Sequence, residues 1–213
     1  MAPTNAPLVA KVPICGSLPP LAADGAAGAD LVLSFIREQV RLRFATADRV
    51  GLVRAFRLAD DHEAVAAVDR EFHAASPVEP QRLASAKNGA AFLAAHVRLH
   101  TEGAADYQTR VRARQAFGHL PVVQGLVYRQ LGLGEGEAVR VAGYAMVMGI
   151  AQAALRLGRI GAMDTQSVVS FALEDLETIA DAAIDDAAPS TFTPLVDIAA
   201  IEHMNARGRL FSS

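Results

Sequence analysis

Residues 141–155 form a run without a charged side chain, and Gln152 is the only strongly polar residue in it. A helix that is apolar on nearly every face has to be covered by other helices or by lipid. The run is shorter than the roughly 20 residues that a membrane span needs. We therefore expect a helix in a protein core or at an interface between subunits. Arg156 closes the run, and Gly158 and Gly161 follow it as stop signals.

The composition indicates an ordered protein in a reducing compartment. With 213 residues, of which 52% are hydrophobic, the chain can bury a substantial core. The formal net charge of -3 argues against a nucleic-acid binder, which needs a basic face for the phosphates. Its one cysteine, Cys15, cannot form an internal disulfide, and no secretory signal is recognisable. We expect a cytoplasmic protein.

Apolar residues recur at helical spacing along most of the chain, and no segment shows the alternation of a half-buried strand. The predicted helices cover residues 31–44, 48–59, 62–75, 80–100, 107–115, 121–132, 141–155, 165–186 and 193–206. We predict an all-α, single-domain bundle of about eight to ten helices around the buried apolar helix. The predicted boundaries are a flexible or divergent leader (1–29), the helical domain (30–207) and a C-terminal tail (208–213).

Several helix starts can be predicted from capping residues. Thr46 and Asp48 are good N-caps, so a chain break is expected just before the second helix. Asp60 and Asp61 should open the third helix. Pro121 suits the first position of the sixth helix, because its missing N–H has no partner there.

A cap is also expected at the start of the eighth helix. Asp164 or Thr165 is the predicted N-cap there.

Histidine pairs raise the question of a metal site. His96 and His100 are four residues apart on a predicted helix, so both imidazoles could face one ion. No third ligand follows at a suitable spacing, and two polar side chains near a helix end explain the pair without a metal. Glu202 and His203 are adjacent, which places them on different faces of a helix. We expect no stably bound metal or cofactor.

Familiar catalytic patterns are also missing from the sequence. Gly132, Gly134 and Gly136 do not have the spacing of a dinucleotide-binding loop, and no strand precedes them. No serine has a nucleophile-elbow context, and Cys15 lies in a Pro/Gly-rich leader without a positioned base. The sequence therefore favours a binding, scaffold or chaperone role over an enzyme.

Two further segments are unusual. Gly118, His119 and Pro121 place an imidazole just before a helix N-terminus, where it can hydrogen-bond to the backbone. At the other end of the chain, Leu210 and Phe211 follow a cation in a terminal tail. Exposed apolar side chains in such a tail need a partner, or the protein's own surface, to cover them.

These segments resemble the urease accessory protein F family, and the resemblance extends over roughly residues 31–213. Three motifs occur in the family's order. The first comprises Gly118, His119, Pro121 and Gly125; the second comprises Arg156, Leu157, Gly158, Gly161 and Gln166; the third comprises Leu195, Asp197, Ile198, Ala199, His203, Arg209, Leu210, Phe211 and Ser213. Weaker matches are Arg82, Ser85, Gly89 and Asp48. The leader departs from the family's usual first segment.

The resemblance implies a homodimeric, all-α protein without enzymatic activity of its own. Such a protein would act as a chaperone in nickel insertion into apo-urease. It would assemble with urease accessory proteins D (also called H) and G, and would control the GTPase of G, which carries nickel. Nickel would be handled transiently by the complex. The implied partner-binding residues are Asp197, His203, Arg209, Leu210 and Phe211, with the tail becoming ordered on D and Arg209 near the surface that engages G.

Two other readings remain open from the residues alone. One is an unrelated all-α scaffold or small-ligand-binding regulator, with a closed apolar pocket along residues 145–154. The other is a metalloenzyme that uses His96 and His100.

Overall fold

A computed structural model describes residues 25–182, 184 and 188–205. Residues 1–24 of the predicted leader and the predicted tail (208–213) lie outside this range. The described residues are mostly helical and contain no strand, which confirms the all-α class. The helices are α1 (Gly25–Gln39), a π-helical segment (Val40–Asp48), α2 (Arg49–Arg57), α3 (His62–Ala75), α4 (Glu79–Arg98), α5 (Ala104–Arg112), α6 (Leu120–Gln130), α7 (Glu135–Arg156), α8 (Ala162–Ala180) and α9 (Pro194–Asn205).

The chain runs from α1 through the π segment into α2 without a break. The predicted N-caps at Thr46 and Asp48 are therefore wrong. Thr46 donates its hydroxyl back to the carbonyl of Leu42 at 3.0 Å. Asp48 has helical backbone angles and caps no N–H. Its carboxylate contacts Arg43 at 3.4 Å, so the side chain is used inside the helix instead of at its start.

The other predicted starts agree with the structure more closely. The Asp61 carboxylate accepts from the N–H groups of Glu63 and Ala64, as an N-cap does. Helix α8 begins earlier than predicted because Gly161 is its N-cap. Asp164 lies three residues further on and accepts from the Gly161 N–H at 3.2 Å, which is the reciprocal half of a capping box.

Helix α6 is the most completely enclosed helix of the described chain. Its residues 121–128 are all buried, and its principal neighbours are α2 and α4. The main core cluster joins these helices to α3, α5 and part of α7. A second cluster lies between α1, α7 and α8 and includes Ile36, Val147 and Ala172.

Helix α7 contains the charge-free run, and its predicted burial is confirmed for one face only. Ala142, Val147 and Ala151 are buried. On the opposite side Val141 and Tyr144 are 44% and 47% exposed. Helix α7 is long and apolar enough to cross a membrane, and 39% of its most apolar stretch is buried. Helices in the cores of soluble proteins can have the same length and composition.

Candidate functional site

The turn before α6, which we call the histidine turn (residues 117–120), is built around a buried carboxylate on α3. Asp69 is fully buried. Its Oδ2 accepts from the backbone N–H groups of Phe117 and Gly118, each at 2.7 Å, and its Oδ1 accepts from that of His119 at 3.1 Å. The Tyr107 hydroxyl donates to Oδ2 at 3.4 Å. One side chain thus holds three successive backbone groups in place.

The pKa of Asp69 depends on its burial and on these hydrogen bonds. Burial raises the pKa of its carboxyl, and the hydrogen bonds from the turn oppose that shift. Every polar contact named above is a donor, so the ionised form is the one that the surroundings match. Burial and the neighbouring Asp69 raise the pKa of the Tyr107 hydroxyl. Tyr107 therefore remains a donor.

His119 is fully buried, and its Nε2 lies 3.0 Å from Nδ1 of His73 on α3. One of these two nitrogens donates and the other accepts, according to the tautomers of the rings. Burial lowers the pKa of His119 to about 4, helped by repulsion from His73 when that ring is protonated and by the charges of Arg43 and Arg82. The pKa of His73 is also lowered by burial. At neutral pH the pair is therefore uncharged.

The turn needs glycine at two places. Gly118 has a φ of 74°, in the left-handed region that side chains disfavour. Gly89 on α4 lets two backbones approach closely, since an added Cβ would lie 2.0 Å from the Gly118 carbonyl oxygen. Beside it the Ser85 hydroxyl accepts from the Leu120 N–H at 3.3 Å. The weak family matches at Ser85 and Gly89 are thus brought into contact with the stronger motif.

Arg82, the other weak match, donates to the carbonyl of Ser76 at 2.6 Å and fixes the α3–α4 connection. The rest of the first motif continues into α6. Pro121 occupies the first turn of the helix. At Gly125 an added Cβ would lie 2.1 Å from the Leu52 carbonyl oxygen. This motif therefore sets how closely α6 approaches α2.

A surface cleft of about 210 Å³ opens beside the turn and is lined by His73, Glu79, Arg82, Leu83, Ala86 and Phe117. Phe117 stacks on His73 with ring centroids 3.6 Å apart and is 42% exposed. Asp69 and Ser85 use their side-chain oxygens to hold the turn. The His119 imidazole contacts His73 and not the backbone, contrary to the prediction, and its buried Nδ1 has no partner among the described residues. The arrangement is suited to presenting a fixed surface, and no nucleophile–base pair is formed by the residues named here.

The second motif lies elsewhere in the fold, where α7 ends. Gly158 has a φ of 65°, and the Arg159 N–H donates to the Ala154 carbonyl at 2.9 Å. Arg156 and Leu157 therefore close the helix as a glycine-terminated end. The same turn packs on α1, since a Cβ at Gly28 would lie 2.5 Å from the Arg159 carbonyl oxygen. Gln166 is exposed on α8.

The third motif begins on α9, which packs mainly on α4. The Asp197 carboxylate accepts from the Gln81 amide at 2.8 Å and from the Thr193 hydroxyl at 3.1 Å. Arg43 donates to the other end of the Gln81 amide. The predicted partner-binding residue Asp197 thus has contacts within the chain. The backbone of His203 lies in α9, whereas Arg209, Leu210 and Phe211 are outside the described residues.

The histidine pair at the end of α4 has local contacts. His96 Nδ1 lies 3.0 Å from the Thr101 hydroxyl, and its ring packs against Phe92. His100 has a φ of 57° in the turn that follows. Within residues 25–182, 184 and 188–205, no three His, Cys, Asp or Glu side chains converge as a metal site.

Sequence reasoning missed Asp69, His73 and Gln81. Asp69 carried a usable signal, because it shares the helical stripe of Val65 and Phe72, both buried. A carboxylate on an apolar stripe needs donors from elsewhere in the fold. No such signal marks Gln81, since a glutamine near a helix N-terminus is ordinarily solvated.

Comparison with known proteins extends these observations. The sequence model of the family described as UreF matches residues 27–172. The chain is 31% identical over 177 residues to the urease accessory protein UreF of Yersinia enterocolitica, covering 79% of this chain and 76% of that protein. It is likewise 31% identical over 175 residues to urease accessory protein UreF of Yersinia pseudotuberculosis, with the same coverage.

Proposed function

The chain belongs to the urease accessory protein UreF family, and from this we propose that it is a chaperone in nickel insertion into apo-urease. In this proposal it forms a complex with urease accessory proteins D/H and G and controls the GTPase of G. Nickel is the cargo of that complex and is handled transiently, without a resident cofactor on this chain. The cytoplasm, where apo-urease would be assembled, is the proposed location.

The observation that carries this proposal is the match over residues 27–172, together with what the matched motifs do in the fold. Gly89, Gly118 and Gly125 each fix a helix or turn against a neighbour. They build a rigid scaffold and not a reaction centre. A scaffold without its own chemistry is suited to a role exercised through contacts with other proteins.

The partner contacts are proposed at the C-terminal end. Ile198 and Ile201 are 54% and 47% exposed on α9, and Phe192 just before it is 73% exposed. We propose that this apolar face contacts accessory protein D, and that His203 and residues 209–211 take part in the same interaction. Burial of apolar anchors is the usual source of affinity at such interfaces.

A homodimer is proposed through α7. Val141, Tyr144, Ala145, Gly149 and Gln152 recur at helical spacing on its exposed side. Solvent exposure of so apolar a stripe is unfavourable in a monomer. A second copy of the same face would cover it by a two-fold contact, the commonest symmetry of soluble oligomers.

Co-expression with accessory proteins D and G tests the proposed function. We expect the full chain to co-purify with both, and GTP hydrolysis by G to differ between the complex with D alone and the complex containing this chain. Removing residues 208–213 should abolish capture of D while the circular dichroism spectrum of the free chain stays unchanged.

A matched control removes apolar bulk elsewhere on the surface, for example Leu99→Ser, since Leu99 is 71% exposed at the end of α4. This variant should bind D normally. Unchanged capture of D after the tail deletion would refute the role proposed for the tail. No association of the full chain with either protein would refute the proposed function.

A further inference from the structure

A chain of polar contacts connects three helices at the base of α9. Asp48 contacts Arg43 at 3.4 Å within the π segment. Arg43 donates to the Gln81 side-chain oxygen on α4. The Gln81 side-chain nitrogen donates to Asp197 on α9 at 2.8 Å, and Thr193 donates to the same Asp197 oxygen at 3.1 Å. We call Arg43, Gln81 and Asp197 the Gln81 relay.

The amide at position 81 matches this place chemically. A guanidinium is only a donor and an ionised carboxylate only an acceptor. The group between them must therefore accept on one side and donate on the other. A Glu at position 81 would accept from Arg43 but repel Asp197. A Lys there would donate to Asp197 but repel Arg43. Glutamine is the long neutral side chain that serves both.

Few of the α9 side chains that the structure describes are both apolar and buried. Among them Ala199 is buried, while Ile198 and Ile201 are about half exposed. A buried methyl group supplies little of the transfer free energy that anchors a helix. The relay adds to this packing a charge-assisted hydrogen bond from α4 to α9.

From these contacts we infer that Gln81 is a positioning residue, which fixes α9 and with it the face proposed to contact accessory protein D. Gln81 itself touches no partner in this inference. The consequence for binding rests on the proposed function, whereas the relay's hold on α9 does not.

The test replaces the hydrogen-bonding groups on the two sides of the Gln81–Asp197 contact. The readout is the rate of hydrogen exchange of the α9 backbone amides in the full chain. Gln81→Glu keeps the Arg43 partner but faces Asp197 with a second carboxylate. We expect the α9 amides to exchange at least about tenfold faster, with α6 amides unchanged. Adding Asp197→Asn restores a donor towards Glu at position 81, and the double variant should regain most of the protection.

Two further variants keep the test decisive. Gln81→Met removes both hydrogen bonds at similar length without adding charge, and should also speed exchange in α9. Gln115→Glu makes the same chemical change at an exposed position, and should leave exchange at the wild-type rate. Wild-type protection of α9 in both Gln81→Glu and Gln81→Met, or no recovery in the double variant, would overturn the inference.

Capture of accessory protein D by the same variants separates the two proposals. The expected order is wild type, then the double variant, then Gln81→Glu. If exchange follows the expected pattern while capture of D is equal in all variants, the relay stands and the proposed partner face on α9 fails.

Discussion

Asp69 accepts a hydrogen bond from the backbone N–H of His119 at 3.1 Å across a separation of 50 residues. With the neighbouring N–H groups of Phe117 and Gly118 on the same carboxylate, it defines the path of the chain into α6. A turn that is otherwise local in sequence is therefore fixed by a distant helix.

Replacing this carboxylate should destabilise the fold. Asp69→Asn puts an NH₂ group against at least one N–H donor of the turn and leaves buried groups unsatisfied. Such a loss costs about 2–3 kcal/mol in free energy of unfolding. Urea denaturation measures it, with Asp60→Asn at an exposed position as control, expected within about 0.5 kcal/mol of wild type. Equal effects of the two substitutions would contradict the assigned role of Asp69.

Acid should weaken the protein through His119. Its folded pKa of about 4 lies below its ordinary value of 6.5. The unfolded chain therefore binds the proton first as pH falls, and stability is lost between pH 6.5 and about 4. A shift of this size corresponds to roughly 3 kcal/mol. His119→Gln removes the titration, so its unfolding free energy should vary less with pH over this window. Parallel pH profiles for the two proteins would rule this out.

Two glycines offer a matched comparison. Gly89→Ala should destabilise by at least about 2 kcal/mol, because the new methyl group meets the Gly118 carbonyl oxygen at 2.0 Å. Gly136→Ala brings a methyl group against only the movable guanidinium of Arg140, at 3.0 Å. It should be neutral or stabilising by up to about 1 kcal/mol. Thermal unfolding distinguishes them, and a stabilising Gly89→Ala would show that α4 and the histidine turn are not in close contact.

The exposed side of α7 should control self-association. Ala145→Glu places a charge at the middle of the exposed stripe, and we expect it to convert a dimer to a monomer in sedimentation velocity. Leu99→Glu adds the same charge at another exposed apolar site and should leave the dimer intact. Helical circular dichroism should be unchanged in both. A wild-type chain that sediments as a monomer at high micromolar concentration would remove the basis for this interface.

Periodicity in the sequence was sufficient to predict the helices and the all-α class. Residues 62–75 were predicted as they are found, since an Asp cap and an apolar stripe agree there. For α7 the sequence predicted either a core helix or a subunit-interface helix, because composition does not distinguish a core helix from one with an uncovered face. The enclosed helix is α6, whose apolar run is shorter than that of α7.

The site was predicted only in part. Gly118, His119 and Pro121 were singled out correctly as a turn, but their partners on α3 and α4 depend on tertiary contacts that no local pattern specifies. The predicted break at Thr46 and Asp48 failed because residues that can cap a helix can also form side-chain bonds inside one. Here the Thr46 hydroxyl donates to the Leu42 carbonyl and Asp48 contacts Arg43.

The π segment has a consequence for insertions and deletions. Each hydrogen bond there spans five residues instead of four, so the side chains of α2 leave it rotated relative to those of α1. Ile36 on α1 lies in the cluster shared with α8, and Leu52 on α2 lies in the one shared with α6. Loss of a single residue between positions 40 and 48 would turn one of the two faces away from its cluster, although every residue of that face was retained.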